Sequence, residues 1–276
     1  MTEGLRVREA LAQAEQMLAC IPGRPRQDAE LLMAHALGIT VGDLHLRHLD
    51  EQAPAEFDEL LGRRIAREPV AYITGRAGFW TIELEVGPGV LIPRADSETL
   101  IAAAQQHFAT RAPARILDLG TGPGTLLLAA LDQWPTARGV GVDKSRTALA
   151  YARRNAGRLG LAGRADLRVG DWADGLTGRF DLILCNPPYI AQGADLPPDV
   201  SGFEPHGALF AGPDGLADYR RLALVLPLLL ASDGIACLEV GEGQAGPVAA
   251  LFAGAPFTIS SRADLRGIER CLVLRA

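Results

Sequence analysis

Apolar residues recur every three or four positions through residues 7–67, as at Val7, Leu11 and Leu18. This spacing places them on one side of a helix and is typical of short amphipathic helices. Proline and glycine interrupt the pattern at Pro22-Gly23, Gly38 and Gly42. We therefore predict a small domain of four or five short helices over residues 1–74, and we expect it to recognise a partner.

A different pattern follows, in which apolar and polar residues alternate from Trp80 to Val86. Alternation with a period of two predicts a half-buried strand. Gly87-Pro88-Gly89 comes next, and a second apolar run occupies residues 90–92. Two such runs around a glycine and proline turn predict a β-hairpin. We expect residues 75–93 to form a hairpin linker.

Beyond residue 94 the chain alternates between strand and helix patterns. The runs that predict strands lie at residues 115–119, 139–142, 165–169, 180–185, 234–240, 257–261 and 271–274. Helical patterns lie between them, notably at residues 145–159 and 216–230, where Pro227 predicts a kink or a break. This alternation predicts an α/β fold with a seven-stranded, mainly parallel sheet over residues 94–276. We expect the last strand to be antiparallel, because no clear helix precedes it.

Composition and charge exclude several functions. Hydrophobic residues make up 48% of the chain and charged residues 22%, as in an ordinary globular protein. The net charge of −6 argues against a protein that mainly grips nucleic acid phosphates. The longest apolar stretch, residues 222–231, is shorter than the ~20 residues of a membrane helix. Residues 1–8 carry both charge signs, so we expect no signal peptide and a cytoplasmic protein.

The cysteines are Cys20, Cys185, Cys237 and Cys271. None of them forms a closely spaced pair, so the sequence indicates neither a zinc site nor a disulfide framework. We expect reduced thiols and no bound metal.

Residues 181–189 read DLILCNPPY, a short apolar run followed at once by a rigid polar turn. Pro187 and Pro188 fix two φ angles and remove two N–H donors, so the carbonyls of Asn186 and Pro187 can face a ligand. Asn186 adds a carboxamide, and Tyr189 adds an aromatic ring. Such a turn can accept two N–H bonds from an amide or an exocyclic amine. The plainer alternative is a proline-rich loop after a strand.

A glycine-rich turn follows the first predicted strand of the α/β region. It consists of Asp118, Leu119, Gly120, Thr121, Gly122, Pro123 and Gly124. Glycine lets the backbone approach a ligand closely, although many strand-to-helix turns need glycine for structure alone. Asp143 ends the second strand, where a carboxylate can accept both ribose hydroxyls of an adenosine. Asp171 and Trp172 follow the third strand, where they can meet the adenine edge and form an apolar wall.

Taken in order, the glycine turn, Asp143, Asp171 and the NPPY turn resemble class I S-adenosylmethionine-dependent methyltransferases that modify planar nitrogen atoms. A closer resemblance rests on residues 69–75 (PVAYITG), 91–94 (LIPR), 203–205 (FEP) and 212–216 (GPDGL). These motifs are similar to those of the HemK/PrmC family, the N5-glutamine methyltransferases of peptide chain release factors. The resemblance runs from about Asp28 to the C-terminus.

The resemblance implies a helical N-terminal domain that docks the protein substrate, a hairpin linker and a Rossmann-like catalytic domain. It places S-adenosylmethionine on residues 120–124, Asp143, Trp172 and Asn186, and the target glutamine on residues 186–189. We add Asp118 and Asp171, at the same strand ends, as further candidate cofactor-binding residues. It implies class 1 release factors as substrates of a protein that we expect to be a monomer without direct nucleic acid binding. The chain departs from the family pattern at Ala95, Pro123 and Lys144.

Other functions remain open from the residues themselves. A glutamine methyltransferase of ribosomal proteins would share the whole constellation. An adenine-N6 or guanine-N2 nucleic acid methyltransferase could use the same turn, since an exocyclic amine also offers two hydrogens. Against it stand the acidic charge and the lack of a basic recognition insert. A third alternative is a module that binds the cofactor without catalysis.

Overall fold

The structure is a computed structural model that describes residues 4–276. The described chain divides into two compact units. The first comprises residues 4–76 and Leu196–Phe203, and the second comprises Ala77–Asp195 and Glu204–Ala276. The domain limits set above at residues 74 and 93 remain predictions, and the expectation about a signal peptide involves residues 1–3, which lie outside the described residues.

The first unit is helical, as the sequence predicts. Its helices are α1 (Val7–Leu18), α2 (Pro25–Leu37), α3 (Val41–Asp43), α4 (Glu56–Ile65) and α5 (Val70–Thr74), with a π-helical turn over Leu44–His48. α2 begins at Pro25, in the first helical turn, where a backbone N–H has no acceptor within the helix, so proline costs no hydrogen bond. It ends at Gly38, whose backbone takes a left-handed conformation. Leu11, Leu32 and Phe57 lie fully buried in its core.

A buried ion pair stabilises the first unit. The Arg64 side chain, which is 5% exposed, donates from Nε to Asp28 Oδ2 at 2.9 Å. Its Nη1 lies 3.8 Å from Asp199 Oδ2. Asp199 belongs to α9 (Pro198–Ser201), which is part of the segment that returns to this unit late in the chain. Arg64 therefore links two distant parts of the chain within the first unit.

A hairpin lies within the predicted linker, but the predicted pairing of residues 80–86 with residues 90–92 is wrong. The two strands are β1 (Arg76–Phe79) and β2 (Ile82–Glu85), and residues 90–92 form no strand. The turn falls at Trp80-Thr81, where Trp80 takes a φ of +54°. Its position is fixed from outside the hairpin, because Glu98 Oε1 accepts the Trp80 N–H and Asp132 Oδ2 accepts the Thr81 hydroxyl.

The second unit contains the predicted seven-stranded sheet. Its strands are β3 (Arg115–Leu119), β4 (Arg138–Asp143), β5 (Ala165–Val169), β6 (Phe180–Cys185), β7 (Leu230–Glu239), β8 (Thr258–Ala263) and β9 (Glu269–Arg275). The spatial order is β5-β4-β3-β6-β7-β9-β8. Strands β3 to β7 pair in parallel, and the last strand, β9, pairs antiparallel with both β7 and β8. The α/β fold class and its antiparallel last strand are confirmed.

Helices cover this sheet. They are α6 (Glu98–His107), α7 (Thr125–Gln133), α8 (Arg146–Arg158), α10 (Ala217–Leu229) and α11 (Ala245–Ala250), with 3₁₀ turns at Ala95–Ser97 and His206–Ala208. The break predicted at Pro227 is wrong, because α10 continues to Leu229. Pro227 lies in the last turn, where its ring removes only one hydrogen bond before the helix ends. Among residues 4–276, no helix combines the length and apolar character needed to cross a bilayer.

Candidate functional site

The order of the strands predicts where a ligand binds. The chain runs outward from β3 through β4 to β5 and then returns to β6 on the other side of β3. In parallel sheets of this kind, ligands bind beyond the carboxyl ends of the strands at such a reversal. A cavity opens there and encloses about 1080 Å³ of empty space, including its mouth.

Most of the predicted site residues line this cavity. They are Asp118, Gly120, Thr121, Gly122, Pro123, Asp143, Asp171, Trp172, Asn186 and Pro188. The remaining three, Gly124, Pro187 and Tyr189, are not among the residues that line it. The sequence therefore predicted which strand ends meet, although it did not separate the residues that face the cavity from those that support them.

The glycine turn joins β3 to α7 and wraps around a buried carboxylate. Gly120, Gly122 and Gly124 all take positive φ values of 56–92°. Asp118, which is 1% exposed, accepts the Thr121 hydroxyl at 2.7 Å and the Leu127 N–H at 3.1 Å through Oδ2. Its Oδ1 is buried without a hydrogen-bond partner among the described residues. Burial raises the pKa of Asp118 to about 7.

Asp143 closes the turn from the next strand. Its Oδ2 accepts the Gly122 N–H at 2.8 Å, and its Oδ1 accepts the Ser145 N–H at 2.7 Å. Ser145 in turn caps α8, because its hydroxyl accepts the Ala148 N–H. Each carboxylate oxygen has a further lone pair for a ligand hydroxyl. Burial raises the pKa of Asp143, while these two backbone hydrogen bonds oppose the rise.

The proline in the turn is held from behind. Asn155, fully buried on α8, donates from Nδ2 to the Pro123 carbonyl at 3.0 Å. The same side chain pairs with the backbone of Glu85, accepting its N–H at 2.7 Å and donating to its carbonyl at 3.0 Å. Asn155 thus joins β2, α8 and the glycine turn.

Asp171 and Trp172 have different roles at the cavity. Asp171 Oδ2 accepts from Arg221 Nη2 at 2.7 Å, and this hydrogen bond lowers the pKa of Asp171. Its carboxylate is therefore already paired, which leaves its backbone for a ligand. Trp172 takes a φ of +51° and donates from its indole N–H to Asp218 at 3.1 Å. These two features fix the ring beside Gly120, where it forms one wall of the cavity.

The NPPY turn follows β6 and is held by hydrogen bonds at both ends. Asn186 donates from Nδ2 to Ser97 Oγ at 3.1 Å, which leaves its carbonyl oxygen for a ligand. Tyr189 donates its hydroxyl to Glu239 Oε1 at 3.3 Å, and its backbone carbonyl accepts from Gln244 at 2.9 Å. Pro187 is buried between these two anchors.

Sequence reasoning missed two polar residues behind the turn. Ser97 ends the 3₁₀ turn before α6, and Glu239 ends β7. The Ser97 hydroxyl donates to Glu239 Oε2 across 142 positions of sequence. Both side chains are buried. Glu239 offers a weak signal in the sequence, since a carboxylate ending an apolar strand is unusual, but nothing there indicates its partner.

Glu204 is a third buried carboxylate that supports the rim of the cavity. It accepts from the Arg94 guanidinium and, at 3.0 Å, from the Ile92 N–H. Arg94 and Lys144 both line the cavity. Within residues 4–276, no cluster of three or more histidine, cysteine or acidic side chains is arranged to hold a metal ion.

Two family models match the chain. One is described as the PrmC N-terminal domain and covers residues 9–75, and the other is the methyltransferase small domain and covers residues 95–200. Among solved structures, a 16S rRNA N2 methyltransferase of T. thermophilus in complex with AdoMet and guanosine shares 22% identity at a TM-score of 0.52. That match covers 72% of this chain and 49% of the other. A methyltransferase of Pyrococcus furiosus shares 16% identity at a TM-score of 0.51, over 79% of this chain and 98% of the other.

Similarity to curated proteins is closer. The release factor glutamine methyltransferase of Rhodospirillum rubrum is 45% identical over 91% of this chain and 79% of its own length. The protein of the same name from Cereibacter sphaeroides is 40% identical over 98% of this chain and 99% of its own length. The solved structures support the class I methyltransferase fold, and these relatives establish the family. The chain belongs to the release factor glutamine methyltransferase family.

Proposed function

We propose that this chain transfers a methyl group from S-adenosylmethionine to the side-chain amide nitrogen, N5, of the glutamine in the Gly-Gly-Gln motif of class 1 peptide chain release factors. This modification would tune translation termination. One observation carries the proposal: a single cavity brings the buried carboxylate of Asp118, the carboxylate of Asp143 and the carboxamide of Asn186 to adjacent strand ends. The relatives' shared name supplies the substrate class.

The chemistry of the cavity fits this cofactor. Among residues 4–276, the buried Oδ1 of Asp118 has no hydrogen-bond partner, and a ligand ammonium group would supply one. Asp143 retains lone pairs for the ribose hydroxyls, and Trp172 forms an apolar wall for the adenine. Bound S-adenosylmethionine supplies an electrophilic methyl group on a cationic sulfonium. The proposed cofactor-binding residues are Asp118, residues 120–124, Asp143, Asp171, Trp172 and Asn186.

The protein itself contributes by holding the glutamine amide in position for methyl transfer. A glutamine amide nitrogen is a weak nucleophile, because its lone pair is delocalised into the carbonyl. We propose that Asn186 Oδ1 and the Pro187 carbonyl accept its two N–H bonds, while Pro188 and Tyr189 support the acceptor side chain. Fixing the nitrogen in line with the methyl group can lower the barrier by several kcal/mol, up to about 7–11. No general base is required, since the nitrogen becomes acidic once it is methylated.

The rest of the proposal concerns the partner. The helices over residues 1–74 would dock the release factor, and the protein would act as a cytoplasmic monomer that binds no nucleic acid directly. The negative net charge supports the last point.

One variant of the NPPY turn, compared with a control variant on α8, tests the function. Asn186→Ala removes the acceptor oxygen, and we expect the turnover of a release factor to fall about 10²–10³-fold, the usual effect of losing one preorganised polar contact. Binding of S-adenosylmethionine, measured by calorimetry, should change far less. Arg153→Ala, on the exposed side of α8, is the control and should leave both quantities unchanged. Unchanged turnover in Asn186→Ala would contradict the proposal.

A further inference from the structure

A buried carboxylate lies directly behind the proposed methyl-accepting turn. Glu239 is 1% exposed, and each of its side-chain oxygens accepts one hydroxyl. Oε2 accepts from Ser97, and Oε1 accepts from Tyr189 at 3.3 Å. Ser97 Oγ then accepts from Asn186 Nδ2 at 3.1 Å. Glu239 is thereby connected to both polar side chains of the NPPY turn.

The direction of these hydrogen bonds follows from counting protons. An ionised carboxylate only accepts, so Ser97 must point its single hydroxyl proton at Glu239. Ser97 then presents only lone pairs to Asn186, and these require the N–H side of the carboxamide. The Asn186 carbonyl oxygen is thereby turned away from Ser97, which leaves it available to the cavity that Asn186 lines. A flipped carboxamide would place Oδ1 against the lone pairs of Ser97.

The main chain of Glu239 is fixed as well. The buried hydroxyl of Tyr219 donates to the Glu239 carbonyl at 2.6 Å. Gly241, two residues later, packs against the Tyr189 ring, since a Cβ at that position would lie 3.1 Å from Cδ2 of Tyr189. The end of β7 is therefore built around the NPPY turn, and the carboxylate has little freedom to adopt another geometry.

We propose that Glu239 is a positioning residue that sets, through Ser97, the direction in which the Asn186 carboxamide faces, and that only its ionised form holds the orientation needed for methyl transfer. The statement about methyl transfer rests on the function proposed above. The orientation of the Asn186 carboxamide does not depend on that function.

Glu239, Ser97 and Asn186 form a hydrogen-bond relay, and protonation of Glu239 would reverse its direction. A neutral Glu239 donates its own proton to Ser97 Oγ, which frees the serine hydroxyl proton to point at Asn186. That proton favours the flipped carboxamide, with Oδ1 on Ser97 and the N–H side facing the acceptor site. The Asn186 NH₂ group would then face the glutamine N–H that its carbonyl oxygen otherwise accepts, and binding in the productive geometry is lost.

The surroundings of Glu239 place this change near neutral pH. Burial raises the pKa of Glu239 to about 7, while the hydrogen bonds from Ser97 and Tyr189 oppose the rise. Asp96 raises the pKa further, and Arg270 on β9 lowers it. The other titratable groups that face this carboxylate are Tyr219, Cys185 and Cys271. Burial raises the pKa of Tyr219 and Cys185, and a hydrogen bond with Cys237 together with burial raises the pKa of Cys271, so all three stay neutral around pH 7.

The test compares the pH dependence of two observables in the wild type, Glu239→Gln and Ser97→Ala. The first is the side-chain amide NMR signal of Asn186, assigned by its loss in Asn186→Ala. In the wild type it should shift with a midpoint near pH 7, and in both variants that shift should be absent. This observable needs no turnover, so it tests the relay even if the proposed function fails.

The second observable is kcat at saturating S-adenosylmethionine and release factor. Wild-type kcat should fall by about tenfold per pH unit below the midpoint. Glu239→Gln should abolish this acid limb, and Ser97→Thr, which keeps the hydroxyl, should retain it. The matched control is Glu242→Gln, an exposed carboxylate three residues away, which should keep the wild-type limb.

Cofactor affinity separates positioning from a structural defect. We expect the dissociation constant of S-adenosylmethionine to be unchanged in Glu239→Gln and Ser97→Ala. An acid limb and an Asn186 signal that titrate as in the wild type in both variants would overturn the inference. A wild type that shows the NMR titration but methylates no release factor would contradict only the proposed function.

Discussion

Asn155 offers a sharp test of how the cofactor turn is supported. Asn155→Ala removes three hydrogen bonds to the main chain, two with Glu85 and one with the Pro123 carbonyl, together with a long one of 3.5 Å from Arg158. A buried polar group that loses its partner costs about 1–3 kcal/mol. Glu85 is half-buried, so water reaches its two groups and the lower end of that range applies to them, whereas Pro123 is buried and its carbonyl carries the full range. Three such groups predict a loss of roughly 3–5 kcal/mol in the free energy of unfolding.

Urea unfolding followed by tryptophan fluorescence measures this loss. All three tryptophans, Trp80, Trp134 and Trp172, lie in the second unit, so the signal reports the unit that contains Asn155. Gly157→Ala on the same helix is the control. Its added Cβ meets no atom within 4 Å, and it should leave stability unchanged or raise it by up to about 1 kcal/mol. A loss below about 1 kcal/mol in Asn155→Ala would refute this account of the turn.

Three further predictions concern other buried contacts. Arg64→Ala leaves Asp28 and Asp199 without their buried cation and should lower the free energy of unfolding by about 3–5 kcal/mol. Hydrogen exchange in the helices of the first unit measures this loss. Arg47→Ala, whose exposed ion pair spans 4.0 Å, is the control and should cost under about 1 kcal/mol. Gly215→Ala places a Cβ 2.3 Å from the Tyr189 carbonyl oxygen and should reduce kcat. Gly243→Ala, at a similar φ with no atom within 4 Å of its Cβ, should lower stability only. Equal kcat in the two variants would contradict the inference that Gly215 makes room for the NPPY turn. Asp118 binds its proton up to about pH 7 when folded, against a pKa of 3.8 unfolded, so its contribution to stability falls as pH rises between these values. Asp118→Asn should flatten that fall in a pH series of urea titrations and should weaken cofactor binding, and an unchanged slope would count against the buried carboxylate.

The sheet was predictable because its pattern is local. Each parallel strand is a short apolar run bounded by polar or glycine residues, and this pattern survives without knowledge of the partners. The strand ends that carry Asp118, Asp143 and Asn186 meet because parallel strands align their carboxyl ends. The predicted cofactor residues therefore fell on one cavity wall, apart from Gly124.

The errors arose where distant contacts override the local pattern. The hairpin turn sits at Trp80 because Glu98 and Asp132 bind the turn from outside, whereas Gly87-Pro88-Gly89 resembled a better turn in sequence. The Asp171 carboxylate is already paired with Arg221, which no spacing in the sequence reveals.

The relay behind the NPPY turn was also invisible to sequence reasoning. Ser97 and Glu239 lie 89 residues before and 53 residues after Asn186 in the chain. The pairing of β6 with β7 brings Glu239 close to Asn186, and the packing of α6 on β7 brings Ser97 to both. Neither residue belongs to a motif whose chemistry can be recognised by itself. Buried polar residues in an apolar strand are the useful signal here, since they require a partner.

Methyl transfer to the release factor itself tests the central claim most directly. The purified protein would be incubated with radiolabelled S-adenosylmethionine and a bacterial class 1 release factor, beside a release factor whose Gly-Gly-Gln glutamine is changed to alanine. We predict label in the first release factor and none in the second. Equal label in both would place the methyl group on another residue, and label in neither, with the cofactor bound, would contradict the proposed function.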